Sequence, residues 1–314
     1  MFDRRMVEIR DEHELLREHR HVLQGTGGRF GGVSLVEHGR RGILRHMYDV
    51  CLLDMNLPLA EVVERLNRFQ PQILIGYSTG LQVLARKQIA GELSLSPRII
   101  ENGGERLLPA DHALLKRAFP GAPVVNMYAA AECYYLGIGR EEYEGIYLMD
   151  DFNYIEIFED HLLVTNLFNY TQPLIRYRID DQVRLKHDAR RLLPFRLAES
   201  VVGKVEDPLW FANERGARDF LHASVFNLSI PGLSRYQVVK TGDQAFDFRI
   251  IDHSASSVEG LEATVGERVR DLLRKKGLAN LQVSVVTSPL VLVDSRTRKF
   301  RLMMDAAAAE PMAM

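Results

Sequence analysis

The segment from residue 61 to residue 127 alternates helical and strand patterns, and this alternation constrains the fold more than any other feature of the chain. Proline and glycine stand where helices begin and end. Strands separated by helices form a parallel sheet with the helices packed on it. The predicted elements are helix 61–68, strand 72–75, helix 78–90, strand 98–101, a helix from Pro109 that ends before Pro120, and strand 123–127.

After residue 143 the pattern changes to short strands, predicted at 154–158, 162–166, 174–179 and 182–186, which favour an antiparallel meander or small barrel. Beyond residue 208, strands surround one amphipathic helix that Gly277 ends. The expected class is α/β: a parallel sheet with packed helices, a small antiparallel β subdomain, and a compact α+β C-terminal lid domain. We expect a core domain at 1–202, the lid at 203–305 and a frayed tail at 306–314.

Composition limits the classes of partner. The 314 residues are 46% apolar, enough for a substantial core, and the net charge of -2 gives no general reason to bind nucleic acid or an anionic membrane. Two cysteines are too few for a disulfide framework. No apolar run approaches the roughly 20 residues that span a bilayer. We expect a cytoplasmic protein with no membrane anchor.

Three short blocks carry the polar residues expected at a ligand site. They are Gly103-Gly104-Glu105, Tyr128-Ala-Ala-Ala-Glu132, and Pro173-Leu-Ile-Arg-Tyr-Arg-Ile-Asp-Asp181. The second block directly follows a predicted buried strand, and ligands of open α/β folds bind at the carboxyl ends of strands. A carboxylate there can hold Mg²⁺ against phosphates, and an aromatic ring can lie against a purine. The sequence therefore indicates nucleotide chemistry.

In their order and spacing these blocks resemble the adenylate-forming (acyl-CoA synthetase/ligase) superfamily, in the branch of phenylacetate-CoA ligases, coenzyme F390 synthetases and CapK-like capsule-biosynthesis relatives. The resemblance runs from about residue 20 to about residue 302. Full-length members have an additional amino-terminal portion that ends in a phosphate loop, and this chain contains no Ser-Gly-Thr-Thr-Gly run. Gly25–Gly32 is either a phosphate-binding loop or, because it lacks the Walker spacing, a close-packed turn.

The resemblance also implies roles for individual residues. Glu132 would be the metal ligand, Tyr128 the adenine platform and Asp181 the residue that binds the ribose hydroxyls. The loop Gly103-Gly104-Glu105 would border the adenine and the acyl pocket. Four positions in these blocks depart from the family motifs, with Ala129 and Ala131 replacing a glycine and a threonine, and Ile179-Asp180 replacing Thr-Gly.

Two further segments resemble the mobile part of the family. Gly203-Lys-Val-Glu-Asp207 occupies the place of the hinge about which the small domain rotates. Lys299, in a basic loop, would be the catalytic lysine that bridges the substrate carboxylate and the α-phosphate. Here Arg298 stands where the family has glycine.

By resemblance, the chain uses ATP, Mg²⁺ and coenzyme A to convert a carboxylic acid, expected to be aromatic, into an acyl-adenylate and then a thioester. The alternative is a non-catalytic or incomplete homologue that binds a nucleotide or an aryl acid. A truncation, a subunit completed by another chain, and a degenerate binding protein all fit the missing front portion. A homodimer is also compatible with the sequence.

Overall fold

The computed structural model describes residues 20–25, 49–54, 57–130, 132–202, 208–226, 228, 230–233, 235–251, 260–295 and 300–312. The predicted hinge at 203–207, the predicted catalytic residue Lys299 and most of Gly25–Gly32 lie outside these residues. In the described part of the chain, no helix has the length and apolar character to cross a membrane. The chain divides into two compact units, Met1–Asp54 with Val63–Val205, and Met55–Val62 with Glu206–Met314.

A mixed nine-stranded sheet organises the first unit, in the order β2-β1-β3-β4-β5-β6-β7-β12-β11. Strands β2, β1, β3, β4 and β5 run parallel, and the remaining neighbours pair antiparallel. The strands are β1 (Arg20–Gly25), β2 (Asp49–Asp54), β3 (Ile73–Gly76), β4 (Ile99–Gly103), β5 (Val124–Ala130), β6 (Tyr134–Arg140), β7 (Gly145–Leu148), β11 (Gln182–Leu185) and β12 (Leu197–Val202).

Three helices connect the parallel strands, as the sequence predicts: α1 (Leu59–Phe69), α2 (Ser78–Ile89) and α3 (Pro109–Ala118). Pro109 stands at the first position of α3, where its missing N–H has no helical partner to lose. Leu81 and Leu84 of α2 are fully buried, whereas Ile89 at its end is exposed. Because β-strand, helix and β-strand alternate here, the α/β class is confirmed.

The small antiparallel sheet is also present, but it has three strands: β8 (Asn153–Ile157), β9 (Leu162–Asn166) and β10 (Tyr177–Ile179) in the order β10-β9-β8. Two predictions need correction. The strand expected at 174–179 begins only at Tyr177, because Arg176 has a left-handed backbone with φ of 51°. Residues 182–186 form β11 in the large sheet, where they pair with β12 rather than with the small sheet.

One apolar core joins the small sheet to the antiparallel half of the large sheet. Residues from β5, β6 and β7 meet residues from β8 and β9, and all are buried. They are Tyr128, Cys133, Leu136, Ile146, Leu148, Ile155, Leu162, Val164, Val183 and Ala198. The small sheet is therefore fixed in place beside the end of β5.

The second unit has the predicted α+β character. Its main sheet has the order β17-β16-β15-β19, and helix α4 (Leu261–Lys276) packs on β17. Gly277 ends α4 in the left-handed conformation, as its sequence position predicts. The strands are β13 (Leu209–Ala212), β14 (Arg218–Leu221), β15 (Tyr236–Gly242), β16 (Ala245–Ile251), β17 (Gln282–Ser288), β18 (Val291–Asp294), β19 (Met303–Asp305) and β20 (Ala309–Met312).

The sequence analysis predicts a frayed tail at 306–314, but the described residues 306–312 form regular structure. Residues 306–308 form a turn of 3₁₀ helix, and β20 pairs antiparallel with β18. A second difference concerns residues 55–62, which the sequence analysis assigns to the core domain and which are part of the second compact unit. The edge of a strand supplies hydrogen bonds to any extended segment that reaches it, so composition alone is a poor guide to fraying.

A buried ion pair explains how residues 57–59 are held in the second unit. Lys276 and Asp219 are each 1% exposed, and Lys276 Nζ lies 3.2 Å from Asp219 Oδ1. Lys276 donates to the carbonyl of Leu57 at 2.6 Å, and Asp219 Oδ2 accepts the backbone N–H of Leu59 at 2.8 Å. Asp219 Oδ1 also accepts the N–H of Phe220. Each buried charge is thus paired and hydrogen-bonded, as burial requires.

We predict that Lys276→Met lowers the free energy of unfolding of this unit by about 3–5 kcal/mol, because it leaves the buried Asp219 carboxylate without its cation. Trp210, the single tryptophan, lies in this unit with its ring centroid 5.4 Å from that of Phe220. The change in Trp210 fluorescence with urea concentration therefore reports the unfolding of this unit. The matched control is Lys275→Met at the exposed neighbouring position, which should change stability by less than about 0.5 kcal/mol. Equal stability of the two variants would contradict the assigned role.

A carboxyl group whose pKa is altered by the fold lies in the large sheet. Burial raises the pKa of Glu101, on β4, from 4.5 to about 7. Between these values the unfolded chain has released this proton while the folded chain retains it. Because the folded state binds more protons there, the free energy of unfolding falls as the pH rises.

We predict that Glu101 removes about 3 kcal/mol of stability between pH 4.5 and pH 7, and that Glu101→Gln abolishes this loss. The measurement is urea unfolding followed by far-ultraviolet circular dichroism at pH 5 and pH 7.5. Glu159→Gln, at an exposed position, serves as the control and should keep the wild-type pH dependence. A Glu101→Gln profile that parallels the wild type would show that Glu101 ionises normally in the fold.

Candidate functional site

A pocket of about 550 Å³ lies at the carboxyl ends of β4 and β5, within the first unit. Strands β7, β10 and β12 contribute to its walls. The pocket has the size of a small-molecule site and mixes polar with apolar walls. It is lined by Gly104, Glu105, Arg106, Asn126, Met127, Tyr128, Ala129, Glu132, Ile146, Tyr177, Arg178, Ile179, Asp180, Asp181 and Val201.

The register of β4 and β5 places the first two sequence blocks side by side. Asn102 pairs with Asn126 and Gly103 with Met127 in the parallel ladder. The fully buried Asn102 amide donates to the carbonyl of Glu105 at 2.8 Å and to Asn126 Oδ1 at 2.7 Å. Because a backbone carbonyl can only accept, the bond to Glu105 defines which end of the Asn102 amide is the nitrogen. The Asn126 oxygen is then the acceptor, and its amide nitrogen remains for another partner.

The Gly103-Gly104-Glu105 block forms a tight turn at the rim of the pocket. Gly104 has φ of +77°, and a β-carbon at this position would lie 2.7 Å from the Tyr77 ring, so glycine is required on both counts. Glu105 Oε2 accepts the N–H and the hydroxyl of Thr79, at 2.9 and 2.8 Å, and so binds the first turn of α2. Burial, with a smaller contribution from Glu105, raises the pKa of Tyr77.

Tyr128 and Asp181 meet in the pocket although 53 residues separate them. The Tyr128 hydroxyl donates to Asp181 Oδ2 at 2.9 Å, and the Tyr128 side chain is 9% exposed. Burial, together with Asp181, raises the pKa of Tyr128, so its hydroxyl stays protonated and remains a donor. Tyr128 therefore belongs both to the apolar core and to the pocket wall, and Asp181 keeps its second oxygen for a ligand.

Glu132 lies at the same pocket and accepts a hydrogen bond from the Tyr177 hydroxyl at 3.0 Å. This hydrogen bond raises the pKa of Tyr177. The donor set fits Mg²⁺, which proteins commonly hold through one or two carboxylates while waters and substrate phosphates complete the octahedron. Within the described ranges, no three His, Cys, Asp or Glu side chains form a metal-binding group.

The two arginines of the third block form ion pairs instead of sharing one ligand. Arg176 donates to both carboxylate oxygens of Glu156, at 3.0 and 3.2 Å. Arg178 donates to Asp180 at 2.8 Å and lies 3.4 Å from Asp160. Of the two arginines, Arg178 lines the pocket.

Cys133 follows Glu132 but is unsuited to nucleophilic chemistry. Its side chain is buried in the apolar core, and burial, with a smaller contribution from Glu132, raises the pKa of its thiol to about 11. At neutral pH the thiol is protonated, and only the thiolate is nucleophilic.

The structure brings together Gly104, Glu105, Tyr128, Glu132 and Asp181, which the sequence analysis names from three separate blocks. Gly103 is the last residue of β4 and is not among the lining residues. Sequence reasoning missed Arg106, Asn126 and Tyr177. A usable signal was present, because Arg106 directly follows Glu105, Asn126 stands two residues before Tyr128, and Tyr177 lies within the third block.

No model of a known protein family matches the chain. Over 135 residues the chain is 32% identical to Protein CapK from Staphylococcus aureus, and the match takes in 40% of this chain and 29% of that protein.

Two crystal structures of 2-hydroxyisobutyryl-CoA ligase, both in complex with 2-HIB-AMP and CoA, have a similar fold. The structure in the thioesterification state gives a TM-score of 0.54 at 18% identity and covers 91% of this chain and 65% of the ligase. The open conformation gives a TM-score of 0.51 at 17% identity, with 91% and 66% covered. The chain thus spans about two thirds of these ligase structures. It has the fold of these acyl-CoA ligases, as the sequence resemblance predicts.

Proposed function

We propose that this chain functions in an AMP-forming ligase that joins a carboxylic acid to a thiol such as coenzyme A. The observation that carries the proposal is the convergence of three motif blocks on one pocket at the carboxyl edge of the sheet. Protein CapK and 2-hydroxyisobutyryl-CoA ligase are the similar proteins that support it. By analogy with the phenylacetate-CoA ligases we propose an aromatic acid.

In the proposed first step, a carboxylate oxygen of the acid attacks the α-phosphorus of ATP and pyrophosphate leaves. In the second step, the thiol sulfur attacks the acyl carbonyl and AMP leaves. The pocket residues act chiefly by binding and orienting the reactants, which converts a bimolecular reaction into one between fixed partners.

We assign the nucleoside to the wall formed by Tyr128 and Asp181. One oxygen of Asp181 is held by the Tyr128 hydroxyl, so the carboxylate is oriented before a ligand arrives. The other oxygen is available to accept from a ribose hydroxyl, the usual role of a carboxylate at a dinucleotide site. The Tyr128 ring would lie against the adenine, and Asn126 would offer its amide nitrogen at the same wall.

Glu132 is the proposed ligand for Mg²⁺, which would neutralise phosphate charge during the transfer. The hydrogen bond from Tyr177 orients the Glu132 carboxylate and leaves its second oxygen for the metal. Lys299 is the proposed catalytic residue, whose ammonium would stabilise the charge that develops between the carboxylate and the α-phosphate. Its assignment depends on the sequence resemblance alone.

A second candidate function is ligand binding without turnover, in a degenerate homologue or in a subunit that another chain completes. Two motif positions favour it. Ala131 replaces the threonine and Asp180 replaces the glycine of the family patterns. Under this alternative the pocket retains a nucleotide or an aryl acid but does not form an acyl-adenylate.

We expect acid-dependent exchange between ATP and pyrophosphate with at least one aryl carboxylic acid, and loss of this exchange in Lys299→Ala. The assay tests a panel of aryl and aliphatic acids with the purified chain. Lys186→Ala is the control, because Lys186 is bonded to the carbonyl of Glu144, away from the pocket. Nucleotide binding without exchange for any acid would favour the binding protein or the incomplete subunit.

We further expect Asp181→Ala to weaken binding of Mg-ATP about 10- to 100-fold, the size of a lost hydrogen bond to a charged group. The same variant should no longer distinguish ATP from 2′-deoxy-ATP, because the ribose partner is gone. Isothermal titration calorimetry measures both ligands, with Glu159→Ala as an exposed control. If Asp181→Ala keeps the wild-type preference for ATP, Asp181 does not bind the ribose.

A further inference from the structure

The charged side chains of the pocket differ in whether they form hydrogen bonds and ion pairs within the fold. Four carboxylates line it, from Glu105, Glu132, Asp180 and Asp181, and two cations, from Arg106 and Arg178. A pocket of this composition opposes an anionic ligand unless a cation is available to it. An acyl-adenylate and its precursors carry phosphate and carboxylate groups, so the identity of that cation matters.

Every one of the four carboxylates already has a partner. Glu105 binds Thr79, and Glu132 binds Tyr177. Asp181 accepts from Tyr128, and Asp180 accepts from Arg178. Arg178 is therefore already ion-paired with Asp180 and also lies near Asp160.

Arg106 differs from Arg178 in this respect. Across the stretches that the structure describes, the Arg106 side chain forms no hydrogen bond, ion pair or ring contact, and it is exposed at the pocket. Its backbone, by contrast, is well anchored. The preceding turn is fixed by Gly104 against Tyr77 and by the bonds from Glu105 to Thr79. A free guanidinium on an anchored turn can approach a ligand without breaking a contact of the fold.

We propose that Arg106 binds the oxyanion of the pocket's ligand, either a phosphate of the nucleotide or the carboxylate of the acid. Arginine presents a planar array of N–H donors that matches either oxyanion with two parallel hydrogen bonds. Arg106 then supplies the positive charge that Arg178 does not. The inference deepens the proposed function and rests on it for the identity of the ligands.

Four ligands separate the sources of the oxyanion, namely AMP, adenosine, phenylacetate and phenylacetamide, each titrated calorimetrically into the purified chain. AMP and adenosine differ by the phosphate, and the acid and its amide differ by the carboxylate charge. If Arg106 binds phosphate, Arg106→Ala weakens the binding of AMP about 10- to 100-fold and changes the affinity for adenosine less than about twofold. If it binds carboxylate, the same contrast appears between phenylacetate and phenylacetamide.

Two further variants make the test specific. Arg106→Lys keeps the charge without the paired donors and should recover part of the lost affinity. Arg178→Ala is the matched control, because it removes a pocket arginine whose charge is already paired, and it should weaken AMP less than Arg106→Ala does. The two Arg106 variants should retain the wild-type melting temperature, because among the described residues the Arg106 side chain forms no hydrogen bond, ion pair or ring contact.

The outcomes distinguish this inference from the proposed function. Wild-type protein that binds none of the four ligands overturns both. Wild-type protein that binds AMP and adenosine, with affinities that Arg106→Ala leaves unchanged or lowers equally, overturns the role of Arg106 and leaves the nucleotide site standing. A loss of affinity in Arg106→Ala that is confined to AMP, or to phenylacetate, supports the assignment. It also identifies the oxyanion as the phosphate or the carboxylate, respectively.

Discussion

Parallel pairing of β4 with β5 determines where the pocket lies. Both strands end at the same edge of the sheet, so the turn after β4 and the block that begins at Tyr128 become neighbours. The amide of Asn102 strengthens this relation because it bonds both to the turn, at Glu105, and to β5, at Asn126. A one-residue slip in this pairing would turn Asn102 to the opposite face and separate the two blocks.

The antiparallel half of the sheet completes the pocket by a different route. A shared apolar core fixes the small sheet beside β5, and this packing brings β10 and Asp181 to Tyr128. The third motif block thus reaches the site through burial of apolar side chains rather than through backbone pairing with β5. Because packed cores resist displacement, the Asp181 carboxylate is held in one orientation.

Polar groups around the pocket serve the fold and the site together. Glu105 binds the start of α2, the Tyr128 hydroxyl holds Asp181, and the Tyr177 hydroxyl holds Glu132. In the second unit, the buried pair of Lys276 and Asp219 similarly binds the chain at Leu57 and Leu59. In each case specific donors satisfy the carboxylate and restrict its geometry, and for Asp219 this happens in a buried environment.

The sequence by itself determined the α/β class, the three helices between the parallel strands, and five residues that line the pocket. These features depend on local rules: alternating periodicity, helix ends marked by proline or glycine, and motifs read against a family. It did not determine that 182–185 joins the large sheet, that 309–312 pairs with β18, or which charges near the motifs are already paired. Those outcomes depend on contacts between residues far apart in the chain, such as the 53-residue separation of Tyr128 and Asp181. Only the tertiary structure decides which distant partner satisfies each strand edge and each charge, and so only it distinguishes the free Arg106 from the paired Arg178.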